Sequence, residues 1–191
     1  MNLNLGDTQL ILTECRKHGL TRAETAYVLA TAYWETARTM KPVREAYWLS
    51  ENWRRDNLRY YPWYGRGYVQ LTWEANYKRA GRKLGLDLTT DPDAVMRSEV
   101  AATILVRGMK EGWFTGKKLR DYIHDTFANY EDARRIVNGT DKARQIAAIA
   151  RDYDAALAFR GAPAPTTPGT PISALLRALV ALWRKIVGRG E

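Results

Sequence analysis

Cysteine and histidine are nearly missing from this chain. A single cysteine, Cys15, rules out an intramolecular disulfide, and with only two histidines, His18 and His124, it leaves too few ligands for a structural zinc site. Cys15 lies beside Leu10, Ile11 and Leu12 on a helical pattern and reads as a buried, inert thiol. Neither histidine sits in a setting that suggests a Ser-His-Asp or Cys-His triad. Neither a metal nor a cofactor is expected, and any chemistry should rest on carboxylates. The first residues, Met1 to Asp7, lack a basic region followed by a long apolar run, so they resemble no secretory leader, and accumulation in the cytoplasm of the producing cell is the expectation. There are no internal repeats and almost no alternating strand pattern outside 66–72.

What is present describes a folded, basic protein. With 191 residues, 46% hydrophobic and 27% charged, the chain can form one domain with a core and a cleft, plus an appendage. A formal charge of +9 points to an anionic partner: nucleic acid, a membrane surface or an anionic cell wall. The cations are scattered and match no nucleic-acid recognition motif, so no nucleic acid is expected.

Helical signals dominate. Asp7 can cap a helix running to about Lys17, with Gly19 as its stop. Thr21-Arg22-Ala23-Glu24 is a capping box, and the helix after it delivers Glu35 at its C-terminal end. Residues 36–63 have no clean period and read as loop with short ordered pieces, a length that is usually functional. Asp91-Pro92 predicts another helix, with Val95, Ala102, Leu105, Val106 and Met109 on its apolar face. Shorter helices are predicted over 119–127 and 131–137, and a last one from Asp141 carries Ile146, Ile149, Tyr153 and Leu157. Residues 161–171 hold four of the seven prolines and read as a stiffened linker. Beyond it, Ile172, Leu175, Leu176, Leu179, Trp183 and Ile186 form one stripe, with Arg177, Arg184 and Lys185 on the polar side. That segment, 172–187, is too short and too charged to span a bilayer and fits an interfacial helix. The expected organisation is a domain over 1–160, a linker over 161–171 and a cationic helix over 172–191. Docking on the domain, or dimerisation, is the alternative for that helix.

The densest signal is Tyr64-Gly65-Arg66-Gly67-Tyr68-Val69-Gln70-Leu71-Thr72-Trp73 with Asn76 beyond it. Flanking glycines let the backbone approach a ligand closely, while Gln70, Thr72 and Asn76 stand among aromatic rings. Rings stack on the apolar faces of pyranoses, and amides and hydroxyls match their polar groups. Upstream lie two glutamates, Glu35 and Glu45. An apolar setting beside Tyr33 and Trp34 would raise the pKa of Glu35, as an acid catalyst near neutrality needs. Plainer roles exist: Glu45 could pair with Arg44 or Lys41, Thr72 could cap a helix starting at Trp73, and Arg66 could clamp nearby carboxylates.

The motif resembles the Tyr-Gly-Arg-Gly-x-x-Gln-(Leu/Ile)-(Ser/Thr) signature of the glycoside hydrolase family 19 chitinases and their phage endolysin relatives. Trp34-Glu35-Thr36 stands where the family has its His-Glu-(Ser/Thr) acid, Arg44-Glu45-Ala46 where it has a second glutamate, and Arg135-Ile136-Val137-Asn138-Gly139 resembles its Ile-Asn-Gly segment. The short interval between the glutamates is similar to the endolysin branch. The resemblance covers roughly residues 20–158. It departs at Trp34, at Ala37 and Arg38, where glycines often follow the acid, and at Ala75, where a tyrosine is common. It implies an all-α, lysozyme-like domain with a catalytic groove and inverting hydrolysis of a β-1,4 bond between amino sugars. Glu35 would be the acid and Glu45 the base, about 6.5–9.5 Å apart, with Thr72 helping to hold the water. Gln70, Asn76 and Asn138 would bind substrate, with Tyr61, Tyr64 and Tyr68 as stacking rings and Arg66 beside them. The expected partners are peptidoglycan and, through Arg177, Trp183, Arg184 and Lys185, the anionic outer membrane with its lipopolysaccharide. A monomer is expected, released to the wall by a separate pore-forming protein. The alternatives are a chitinase on the same fold, or a non-enzymatic membrane-permeabilising or wall-binding protein.

Overall fold

The computed structural model describes residues 1–124 and 126–161. The linker after position 161, the cationic helix expected over 172–191 and its residues Arg177, Trp183, Arg184 and Lys185 lie outside the described residues. Among the described residues no helix is long and apolar enough to cross a membrane.

The helices are α1 (Thr8–Lys17), α2 (Arg22–Glu35), α3 (Glu51–Asn57), α4 (Glu74–Leu84), α5 (Ser98–Glu111) and α6 (Ala143–Gly161). Among the described residues, strand is confined to two short antiparallel pairs, β1 (Val43–Arg44) with β2 (Arg66–Gly67), and β3 (Ile123–His124) with β4 (Phe127–Ala128). The all-α expectation therefore holds.

Helix α2 is the hub. Its capping box forms as the sequence predicts: Thr21 Oγ1 accepts from Glu24 N at 3.2 Å, and Glu24 Oε2 accepts from Thr21 N at 2.8 Å. Residues Glu24 through Ala32 are all buried, so the helix is covered on every side rather than on one stripe. Its neighbours are α1 and α5, whose Ile11, Leu12, Cys15, Leu105, Val106 and Met109 share one core with Tyr27, Val28 and Leu29. A helix so enclosed has little freedom to shift, and that fixes the position of Glu35 at its end. Just past it, Thr36 Oγ1 donates to Ala32 O at 2.7 Å and accepts from Met40 N at 3.0 Å. Ala37 and Arg38 take the left-handed backbone that glycine favours, with φ of 49° and 67°.

Four local expectations change. Asp7 makes no side-chain cap on α1; its carboxylate accepts instead from Tyr68 Oη and Ser98 Oγ, each at 2.7 Å. The helix expected from Pro92 divides into a 3-10 turn, Pro92–Met96, and α5, because Arg97 is extended between them. That break lets Asp93 reach Arg44 and Arg66. Residues 119–127 are not a helix: a 3-10 turn, Leu119–Asp121, leads into the β3–β4 hairpin, closed by Asn129 N to Tyr122 O at 2.9 Å. Of the pattern at 66–72 only Arg66–Gly67 is strand; the chain then turns back in a loop closed by paired hydrogen bonds between Arg66 and Leu71, at 3.2 and 2.9 Å.

Candidate active site

The end of α2, the β1–β2 pair, the closed loop and the turn before α6 converge on one open cleft of about 460 Å³. It is lined by Glu35, Glu45, Tyr60, Val69, Gln70, Thr72, Trp73, Val137 and Asn138. Residues far apart in sequence, Glu35, Glu45, Gln70, Thr72 and Asn138, are thus brought to one surface.

Glu35 meets a guanidinium. Its Oε1 accepts from Arg134 Nη1 at 2.6 Å, and Arg134, almost fully buried, also donates from Nε to Asp141 O at 3.1 Å. The apolar setting expected from Tyr33 and Trp34 is therefore incomplete. Arg134 sits in a 3-10 turn, Asp132–Ile136, whose fold aims its side chain inward.

Glu45 follows β1 and is held at both ends. Its backbone N–H donates to Gly65 O at 2.7 Å, and its carbonyl accepts from Arg54 Nε at 2.8 Å. Oε1 accepts from Tyr60 Oη at 2.5 Å and Oε2 from Gly65 N at 2.9 Å. A carboxylate offers about four lone-pair sites, so two remain for a water. Burial, together with the hydrogen bond to Glu45, pushes the Tyr60 hydroxyl up to about 12, so it stays a donor at neutral pH. Glu45 pairs with neither Arg44 nor Lys41 in this arrangement; Arg44 is taken by Asp93 at 2.6 Å.

Gly65 is in close approach to two cleft side chains. A Cβ there would stand 2.7 Å from Gln70 Oε1 and 3.2 Å from Glu45 Oε2. Gln70 donates from Nε2 to Val43 O at 3.1 Å, which leaves its Oε1 to a ligand. Thr72 does not cap α4; the helix starts at Glu74, and its cap position is Trp73, with φ of 75°. Thr72 Oγ1 donates to Gln70 O at 2.8 Å, so the hydroxyl's lone pairs are what it can offer to a water. Asn138 Oδ1 accepts from Gly139 N at 2.8 Å, which leaves its NH2 group as the donor.

Tyr64, Tyr68 and Arg66 cannot touch a sugar. Tyr64 is fully buried under the Arg66 guanidinium, 3.6 Å from the ring centroid, and its hydroxyl donates to Glu51 Oε2 at 2.9 Å. Tyr68, also fully buried, is spent on Asp7. Arg66 is a buried clamp that donates to Asp93, Pro62 O and Tyr77 Oη at 2.8, 2.8 and 3.1 Å. Tyr61 packs against Tyr64 and is not among the cleft-lining residues. Asn76 supports the cleft from behind, donating to Thr72 O at 2.8 Å. The rings that do face the cleft are Tyr60 and Trp73, which meet edge to face at 4.8 Å. Trp73 ends the motif, so the motif itself was the signal for it; nothing local marks Tyr60 or Arg134. Cys15 is fully buried, and burial pushes its thiol up to about 12, in keeping with an inert role.

Two carboxylates among amides, a hydroxyl and aromatic rings, in an open cleft of a helical domain, are the groups that glycan cleavage uses, and they place the protein with the two-carboxylate glycoside hydrolases. The chain belongs to glycoside hydrolase family 19: the class I chitinase model of that family matches residues 18–132. Among similar proteins, an endochitinase of Arabidopsis thaliana is 36% identical over 111 residues, which is 58% of this chain and 37% of that protein. Chitinase 11 of Oryza sativa subsp. japonica is 41% identical over 68 residues, 36% of this chain and 25% of that protein. The chain thus spans well under half the length of these curated relatives. In structure it is similar to the class IV chitinase of Zea mays, with a TM-score of 0.52, 22% identity and 85% of each chain covered. Chitinase C of Streptomyces griseus also gives a TM-score of 0.52, at 22% identity, over 72% of this chain and 60% of that one. At that identity the two structures speak for the fold alone.

Proposed function

We propose that this domain hydrolyses the β-1,4 bond between amino sugars of bacterial peptidoglycan by inversion. The observation that carries this reading is the gathering of Glu35, Glu45 and Thr72 in one cleft. Glu35 protonates the leaving oxygen. Glu45, with two lone-pair sites left open, takes a proton from a water that also donates to Thr72, and that water attacks the sugar from the opposite face. Gln70 and Asn138 offer an acceptor and a donor to the sugar substituents, and Tyr60 and Trp73 offer ring faces. The preference for the anionic wall rests on the net charge and on Arg59, an exposed cation whose guanidinium lies 5.1 Å from the Trp73 ring at the cleft's edge. There it can meet carboxylates that peptidoglycan carries and chitin lacks.

A second reading is chitin hydrolysis by the same groups, favoured by the match to the class I chitinase model and the similarity to plant chitinases. Incubation with purified peptidoglycan and with chitin, followed by mass spectrometry of the new reducing ends, separates the two. Glu35→Gln is expected to lower turnover at least about a hundredfold while the fold is kept. Near-normal turnover in that variant would overturn the assignment, and cleavage of chitin alone would overturn the choice of polymer.

A further inference from the structure

Exposed large apolar side chains are unevenly placed. Among the described residues, Tyr47, Trp48 and Trp53 crowd the segment just after Glu45, with Tyr47 and Trp48 exposed to 59% and 71%. A tryptophan left this open to water is unusual unless something covers it in use. These rings lie outside the cleft: none of the three lines it.

The pair is held in place. The two rings meet edge to face, with centroids 5.1 Å apart and planes at 85°. The turn beneath them is closed by Leu49 N to Ala46 O at 2.9 Å. Arg54, itself buried, donates to Glu45 O and Ala46 O at 2.8 and 3.0 Å. Ala46 takes a left-handed backbone, φ 48°, which is unfavourable for a residue with a Cβ. One guanidinium therefore fixes both the backbone of Glu45 and the turn that presents the rings. By chain length, the Cα atoms of Tyr47 and Trp48 lie at most about 8 and about 11 Å from that of Glu45.

We propose that Tyr47 and Trp48 form a stacking platform beside the cleft that holds the peptidoglycan glycan strand away from the bond being cut. The proposal rests on the hydrolase reading above and names what covers a surface that reading leaves bare. A glycan strand is the occupant because a polymer that enters the cleft must continue past its edge, and the segment carrying Glu45 is that edge. Each ring offers an apolar face with a polar tip, the Tyr47 hydroxyl or the Trp48 indole N–H, suited to a pyranose with its ring of hydroxyls. Tyr60 and Trp73 would continue the same chemistry inside the cleft.

The test uses the full chain carrying Glu35→Gln, so that substrate persists, with and without Tyr47→Ala and Trp48→Ala together. Co-sedimentation with purified peptidoglycan sacculi should show the ring-less chain binding at least about tenfold more weakly. Tyr47→Phe with Trp48→Tyr should restore most of the affinity. With the catalytic Glu35 present, removing the rings should raise KM on sacculi while leaving kcat, and the cleavage of oligosaccharides short enough to fill only the cleft, unchanged. Equal binding with and without the rings overturns the platform. So does a dependence seen on chitin but not on sacculi, or a change from dimer to monomer in sedimentation velocity when the rings are removed. Ring-dependent binding without any cleavage by the parent chain would sink the hydrolase reading and leave the platform standing. Normal cleavage with ring-independent binding would do the reverse.

Discussion

Replacing Arg134 with methionine removes the only cation that the cleft places on Glu35 among the described residues. The side chains of Arg134 and Glu35 are 5% and 18% exposed, and their contact is 2.6 Å. Removing one partner of a buried ion pair costs about 3–5 kcal/mol, because the other charge stays behind without compensation. Glu35 keeps some access to water, so the lower end, about 3 kcal/mol, is the better figure, and it includes the loss of the bond from Arg134 Nε to Asp141 O. For a domain of this size each kcal/mol moves Tm by about 2–4 °C, so Arg134→Met should melt about 6–12 °C lower. Circular dichroism melts of Arg134→Met, Glu35→Gln and the double variant form a cycle. The pair should show a coupling of at least about 1 kcal/mol. Turnover per folded molecule should also fall in Arg134→Met, since Glu35 loses the group that orients it. Additivity of the two substitutions within about 0.5 kcal/mol, with unchanged turnover, would mean that Arg134 neither stabilises nor orients Glu35.

Asp93 ties Arg44 and Arg66 together, and those two guanidinium groups, Arg44 first, hold its carboxyl below the usual range against the opposing effect of burial. A lowered carboxylate stabilises the fold above its ordinary value near about 3.9, and that contribution is lost as pH falls through the lower value in the folded state. Asp93→Asn should therefore be destabilised at neutral pH, with its Tm converging on that of the parent in acid; a constant gap across pH would contradict this. Arg59→Gln should weaken turnover on peptidoglycan several-fold and leave any turnover on chitin unchanged, as measured by parallel reducing-end assays; equal losses on both would remove Arg59 as a reader of wall carboxylates. A chain ending at Phe159 should digest purified peptidoglycan normally but lose most killing of intact Gram-negative cells, if the segment over 172–187 acts at the outer membrane as its pattern suggests. Equal killing by both chains would give that segment another task.

The parts of this protein that could be read in sequence are those set by neighbours in the chain. The capping box at Thr21 and Glu24, the helix it starts and the delivery of Glu35 at its end depend on contacts a few residues apart. The glycines of the central motif likewise report a local need, which the structure locates at Gly65, pressed against Gln70 and Glu45. What could not be read depends on partners far away. Tyr68 was expected to face a sugar, yet its hydroxyl is claimed by Asp7, 61 positions earlier. Arg134 reaches Glu35 across 99 positions, and no local pattern distinguishes it from its neighbour Arg135. Tyr64 and Arg66 look alike as groove residues or as a buried clamp until Asp93 arrives from beyond Pro92. The β3–β4 hairpin was missed because its strands are two residues each, too short to show a period.

The stereochemistry of the cut distinguishes the roles of Glu35 and Glu45. Proton NMR of wall fragments during the first minutes of digestion reports the anomeric form of each newly made reducing end before it equilibrates. With Glu35 as acid and Glu45 as base on a water at the opposite face, a β-1,4 bond must yield the α anomer first. Initial formation of the β anomer would contradict inversion, since it requires two displacements at the same carbon, the first by a carboxylate or by the sugar's own acetamido group.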